Sequence, residues 1–405
     1  VSFSPDGARV LSAGNDRVAR VWDARSAGRV AELVGHRHEV REASFSPDGR
    51  RAVTASWDLS ARLWDAQTGA LVRALSEAGA LTASFSGDGA RVVTAGGRAA
   101  AVWDARTGDP VAALPEPEGD PAATLTAAAL SPDGSRAVTG LSRGAVRFWD
   151  VAAGAVTLSD PGPPMPAGRE AAVTALSFSR DGQRVIGAWS TGHVALWDAR
   201  TGRRHVTLRG HAARVTTAAF SPDGALCLTA GDDRTARLWS ARTGAQLQLL
   251  RGHTDYVLAA AFSPDGRRVI TAGDRSAIVW DARSGAQVQA LQGHVKKVTA
   301  AAFSPDGERA ATTGLDGTVR LWDVRGGAGV ATLQAHTAAV LGAAFSADGE
   351  RVVTVSADQS ARTWDARAGL LDVTLSGHGQ PVVAAAFSRD GRQVVTASDD
   401  GTARA

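Results

Sequence analysis

Short runs of alternating apolar and polar residues follow one another along this chain, and the same turn residues interrupt them at a nearly constant interval. Residues 210–252 show the unit most clearly. After Gly210-His211, the run from Val215 to Phe220 reads as a strand. Ser221-Pro222-Asp223-Gly224 then predicts a tight turn, because Pro presets φ at its second position and Gly tolerates positive φ at its fourth. Leu226–Ala230 predicts a second strand, Asp232-Asp233-Arg234 a polar turn and Thr235–Trp239 a third strand. Arg242-Thr243-Gly244 turns into a fourth, Gln246–Leu250. Four strands of about five residues joined by tight turns make an antiparallel sheet, and no segment carries a helix-length amphipathic pattern.

The unit repeats. Trp22, Trp64, Trp103, Trp149, Trp197, Trp239, Trp280, Trp322 and Trp364 lie 39 to 48 residues apart, and all but Trp239 are followed by Asp. The Ser-Pro-Asp-Gly turn and its Pro-less variants occur once per unit, from Ser4–Gly7 to Ser388–Gly391. Counting turns gives ten repeats against nine repeat tryptophans. A period of this length with Gly-His and Trp-Asp marks predicts four-stranded propeller blades, each stable only when stacked on its neighbours.

On these marks the chain resembles a WD-repeat β-propeller over essentially its whole length, in the style of large bacterial WD-repeat proteins. The expected fold is all-β, with nine repeats and an incomplete tenth. Residues 1–405 read as one continuous array, with a candidate sub-boundary at the proline-rich insert 159–168; an oversized ring, an open arc and two propellers all stay open. The chain starts on the end of a strand and stops where a tenth Trp falls due, which suggests a segment of a longer array.

The resemblance implies a buried His–Ser/Thr–Asp–Trp chain in each blade, and matching residues stand in register. The Thr, Asp and Trp are Thr54, Asp58 and Trp64; Thr229, Asp233 and Trp239; Thr271, Asp274 and Trp280; Thr312, Asp316 and Trp322; and Thr354, Asp358 and Trp364. The histidines are His36, His211, His253, His294 and His336, with His378 for the last repeat. A Thr–His–Asp set looks like a catalytic triad, but a catalytic site has no need to recur in several blades; a network that satisfies buried polar groups does. Repeats three to five depart from the pattern. They lack Gly-His, carry Gly97, Arg143 and Thr191 at the Asp position, and have Pro-rich connections after Asp109 and Ser159. They are expected to be the weaker sector, held by packing rather than by the network.

Composition narrows the function. Apolar residues make up 44% of the 405, enough for a sizeable core, and the net charge of +3 is too mild to argue for nucleic acid. The single Cys227 allows no disulfide within the chain, no zinc ligand set is present, and no apolar run reaches membrane-spanning length. Gly140-Leu-Ser142-Arg-Gly144 spells a nucleophile elbow, but that elbow needs a strand-to-helix turn. No enzyme, cofactor or metal is expected, and the cytoplasm is the expected location.

Loops on a rigid scaffold are where recognition usually sits. The residues after each Gly-His vary from repeat to repeat, as does the residue before each network Asp. Trp57, Tyr256, Arg37, Lys296, Lys297 and Leu315 are the candidate protein-contact residues, since aromatic and basic side chains anchor interfaces most often. The opposite rim repeats an Arg at positions including Arg25, Arg106, Arg325 and Arg367, expected to pair with neighbouring turn Asp residues. The expected role is a non-catalytic scaffold for a protein or peptide, which the resemblance places as the sensor or regulatory part of a larger signalling chain; an enzyme or a small-molecule or nucleic-acid binder using the central pocket or a basic rim is the alternative.

Overall fold

The computed structural model describes the chain except residues 1, 7, 14–15, 24–27, 77–81, 98, 116–123, 164–170, 325–328, 334–335, 389–390, 392, 401 and 405. Sequence features on those positions, among them Gly7, Arg25, Pro121, Arg325 and residues 164–168 of the insert, lie outside the described residues.

Every described element is a β-strand, and the strands form antiparallel meanders. Two compact units are present, Ser2–Phe220 and Ser221–Ala405, Val1 aside. The first holds five four-stranded sheets, one per repeat, and the first strand of repeat six, Val215–Phe220. The second holds the other strands of repeat six, then three four-stranded sheets and a three-stranded one.

Blade two shows how the sequence writes a sheet. Its strands are β1 (Val40–Phe45), β2 (Arg51–Ser56), β3 (Ala61–Asp65) and β4 (Leu71–Ser76), in that spatial order. Between β1 and β2, Gly49 takes φ 71° and donates its N–H to Ser46 O at 2.8 Å. The Ser46 hydroxyl accepts the Arg51 N–H at 2.9 Å, closing the turn from the side-chain end. At Trp64 the register against β4 shifts by one residue, and the same shift precedes all nine repeat tryptophans. Such a bulge adds local twist.

The core lies between the sheets. One cluster joins Leu11, Val21 and Leu33 of blade one to Val40, Ala52 and Trp64 of blade two. Others join blades two and three, three and four, and four and five in the first unit. The second unit shows the same between six and seven, seven and eight, eight and nine, and nine and ten. Trp64, Trp103, Trp149, Trp197, Trp280, Trp322 and Trp364 therefore pack on the preceding blade, and removing a buried one should cost about 3–5 kcal/mol.

Two expected connections prove to be partly strand. Pro110–Pro115 is the fourth strand of blade three, with Pro110 at its first position, where a missing N–H is tolerated. Ser159 and Asp160 end the fourth strand of blade four.

Candidate functional site

The site is built upward from the buried network. In blade two, Trp64 Nε1–H donates to Thr54 Oγ1 at 2.8 Å, Thr54 Oγ1 lies 2.7 Å from His36 Nε2, and His36 Nδ1 lies 3.0 Å from Asp58 Oδ2. An ionised carboxylate only accepts, so Nδ1 carries the proton and Nε2 accepts from the Thr hydroxyl. Blade seven repeats the chain through Trp280, Thr271, His253 and Asp274. Blade eight does so through Trp322, Thr312, His294 and Asp316, and blade nine through Trp364, Thr354, His336 and Asp358. His378 joins Thr396 and Asp400 likewise. In repeat six Trp239 donates to Thr229 at 2.8 Å, and His211 is buried.

Burial holds His36, His294 and His336 below the ordinary imidazole value, with their Asp partners offsetting it only in part. These rings are neutral at neutral pH. Burial works to raise the Asp58 carboxyl, but the Ser60 hydroxyl, the Arg37 N–H and His36 overcome it and hold it far below the carboxylate range. The same contest, with Thr318 and His294 as leading donors, brings Asp316 to about 2. Thr54, Thr271, Thr312 and Thr354 are each fully buried, so no hydroxyl of the set faces a substrate.

The network does more than fill the blade, because each Asp also grips the loop after its His. Asp58 Oδ2 accepts the Arg37 N–H at 2.7 Å, Asp274 the Thr254 N–H at 2.8 Å, and Asp316 the Val295 N–H at 2.8 Å. Asp358 holds Thr337 and Asp400 holds Gly379 in the same way. The residue before the Asp closes the other side: Trp57 N–H donates to Glu39 O at 3.0 Å and Leu315 N–H to Lys297 O at 2.9 Å. In blades two, eight, nine and ten a variable loop and a variable turn residue are thereby fastened side by side, Ala357 donating to Ala339 O and Asp399 to Pro381 O in the last two.

In the first unit this fastening places Arg37 and Trp57 at one blade top, both exposed. Trp57 is 54% exposed, with the Arg41 guanidinium 5.0 Å from its ring centroid and His38 6.1 Å away. Leu59, two residues on, is exposed and takes φ 65°, a region that costs a branched side chain energy. In the second unit Tyr256, Lys296, Lys297 and Leu315 come together. Lys297 pairs with Asp255 at 2.7 Å and its ammonium lies 5.5 Å from the Tyr256 ring centroid.

Other features were not anticipated from the sequence. Blade five replaces the missing network with Asp160 from blade four: Trp197 Nε1–H donates to Asp160 Oδ2 at 2.7 Å, and Arg204 Nε–H donates to the same oxygen at 2.8 Å. A Cβ at Gly187, which stands where Thr is expected, would lie 2.8 Å from the Trp197 ring. Trp103 and Trp149 keep their Thr partners, Thr94 and Thr139. Blades three to five are therefore not held by packing alone. On the opposite rim, Arg367 pairs with Glu350, not with a turn Asp. The Asp of Trp-Asp takes Arg instead from the start of the second strand, as in Arg51–Asp65 at 2.6 Å and Arg91–Asp104 at 3.1 Å.

Among the described residues no His, Cys, Asp and Glu group could hold a metal ion, and no helix is long and apolar enough to cross a membrane.

The profile of the WD domain, G-beta repeat (WD40) matches residues 1–23, 28–65, 202–240, 244–281, 285–323, 327–365 and 370–405. The gap between 65 and 202 spans the three repeats that lack Gly-His. Comparison with curated proteins finds no match. Among solved structures, the crystal structure of the computationally designed Ika8 protein is similar at 26% identity and a TM-score of 0.61, over 92% of this chain and 98% of that one. With seven matched segments covering more than half of its length, the chain belongs to the WD40 family of G-beta repeat proteins.

Proposed function

We propose that this chain is a non-catalytic scaffold that presents its fastened blade-top loops to a protein or peptide partner, as the sensor or regulatory part of a signalling protein. WD40 repeats commonly act as protein-interaction scaffolds, and the family is generally non-catalytic. The observation that carries the reading is the double fastening of the variable loops of blades two, eight, nine and ten, each by a network Asp and by the residue before it. Conserving the fastening chemistry while the attached side chains change is what a recognition platform needs, because ordered loops lose little entropy on binding. Exposed Trp57 and Tyr256, each with a cation against its ring, are the anchors this reading selects.

The test is partner capture by the immobilised chain, comparing wild type with Trp57→Ala and Tyr256→Ala. Loss of an anchor should weaken retention by about tenfold or more in at least one variant. Retention unchanged in both would discard the blade tops as the contact face.

A further inference from the structure

Over repeats seven and eight of the second unit lies an open depression of about 1030 Å³, whose lining includes Asp255, Arg275, Val295, Lys296, Lys297 and Leu315. We propose that it binds an acidic peptide segment carrying an aliphatic side chain; this rests on the scaffold reading above and names the partner's chemistry.

The charges decide it. Of the two carboxylates in the lining, Asp274 is engaged by the N–H and hydroxyl of Thr254, the hydroxyl of Ser276 and His253, and Asp255 is taken by Lys297. The Thr254 and Ser276 donors are neutral and leave the Asp274 charge in place, so the lining holds three cations, Arg275, Lys296 and Lys297, against two carboxylates. Arg275 and Lys296 are exposed and join no ion pair among the described residues. The lining therefore carries one positive charge in excess, with Arg275 and Lys296 outside any ion pair, and this suits a carboxylate. Beside them stand Val295 at 69% exposure and Leu315 at 52%, large apolar groups that gain by losing water. A phosphate backbone would use the cations but leave this apolar wall wet, so a polypeptide fits better than a nucleic acid.

The rim is also held in advance. Asp255 fixes Lys297, Lys297 covers the Tyr256 ring, and the Val295 N–H is held by Asp316. A partner finds these side chains placed, which limits the ordering cost of binding.

The experiment pans a phage-displayed library of random peptides of about twelve residues against the full chain. It is repeated on Arg275→Glu/Lys296→Glu and on Leu315→Asp, all with exposed side chains and each checked for a wild-type urea midpoint. Wild type should enrich peptides with Asp or Glu beside Leu, Ile or Val. A fluorescein-labelled synthetic copy of the most enriched peptide should bind each variant about tenfold or more weakly, and bind wild type less tightly as salt rises. Enrichment of basic or neutral peptides, equal binding to the variants, or tighter binding of single-stranded oligo-dT would each overturn the assignment. Peptides that bind wild type and variants alike would leave the scaffold reading standing while removing this site; no enrichment by any bait would count against both.

Discussion

Asp160 and Gly187 form one solution to a single problem, the buried indole N–H of Trp197. In the other blades that N–H meets a Thr or Ser hydroxyl from the neighbouring strand, as Trp22 meets Ser12 at 2.9 Å. Blade five has no hydroxyl there, and the ring fills the space a side chain at Gly187 would need. The indole turns instead to a carboxylate that is 6% exposed, shared with Arg204 and with the Gly162 N–H. Burial tends to raise that carboxyl, yet Arg204, Trp197 and Gly162 together hold it below the usual range. Asp160→Ala strands both the indole and the guanidinium. Breaking a buried pair costs about 3–5 kcal/mol, but the Arg204 side chain is 31% exposed and recovers water, so a loss of about 2 kcal/mol is expected by urea unfolding. Gly187→Thr, which restores the family residue type, should destabilise rather than rescue, because its Cβ meets Trp197. A stabilising Gly187→Thr would refute this account.

At the scale of the strand and loop, the sequence was most legible where local chemistry is obligatory. The turns could be placed because Pro and Gly permit only certain φ values, and the strands between them followed. The His, Thr, Asp and Trp positions were legible through their fixed spacing. What stayed hidden depends on contacts that no period encodes. Asp160 lies 37 residues before the Trp it serves, in the preceding blade, inside what read as a Pro-rich connection. The grip of Asp316 on Val295 and the pairing of Asp255 with Lys297 join different hairpins, and Arg275 enters the site only through that packing. The network also carries a pH signature. His36, His294 and His336 sit below their ordinary value when folded, whereas the unfolded chain takes up protons near pH 6.5. As pH falls through that value the unfolded state binds more protons, so stability falls. The depressed carboxylates Asp58 and Asp316 act in the same direction below about pH 4. The urea midpoint should drop between about pH 7.5 and about pH 5.5. A midpoint that is flat or rising on acidification over this interval would contradict neutral buried rings.

For the molecule as a whole, the decisive property is that every core cluster draws on two consecutive blades. Stability is then close to a sum of blade terms and nearest-neighbour interface terms, and local opening reports the blade that opens. Blade three keeps only the Trp103–Thr94 bond of the network, at 2.9 Å, with neither the His nor the Asp. Blade five has no hydroxyl partner but gains the carboxylate latch, and blade eight has the full chain plus the loop grip. The second strand of each blade is its buried centre, so its amides measure the opening of that blade: Arg91–Gly96, Arg184–Trp189 and Arg309–Gly314. Native-state hydrogen exchange should be fastest at the first, slower at the second and slowest at the third. Asp160→Ala should then accelerate Arg184–Trp189 to about the rate of Arg91–Gly96 and leave Arg309–Gly314 unchanged, since coupling passes mainly between neighbours. Equal protection at the three strands would show that the polar network does not set local stability. Acceleration of all three by the one substitution would show instead that the blades open together, and the nearest-neighbour description would fail.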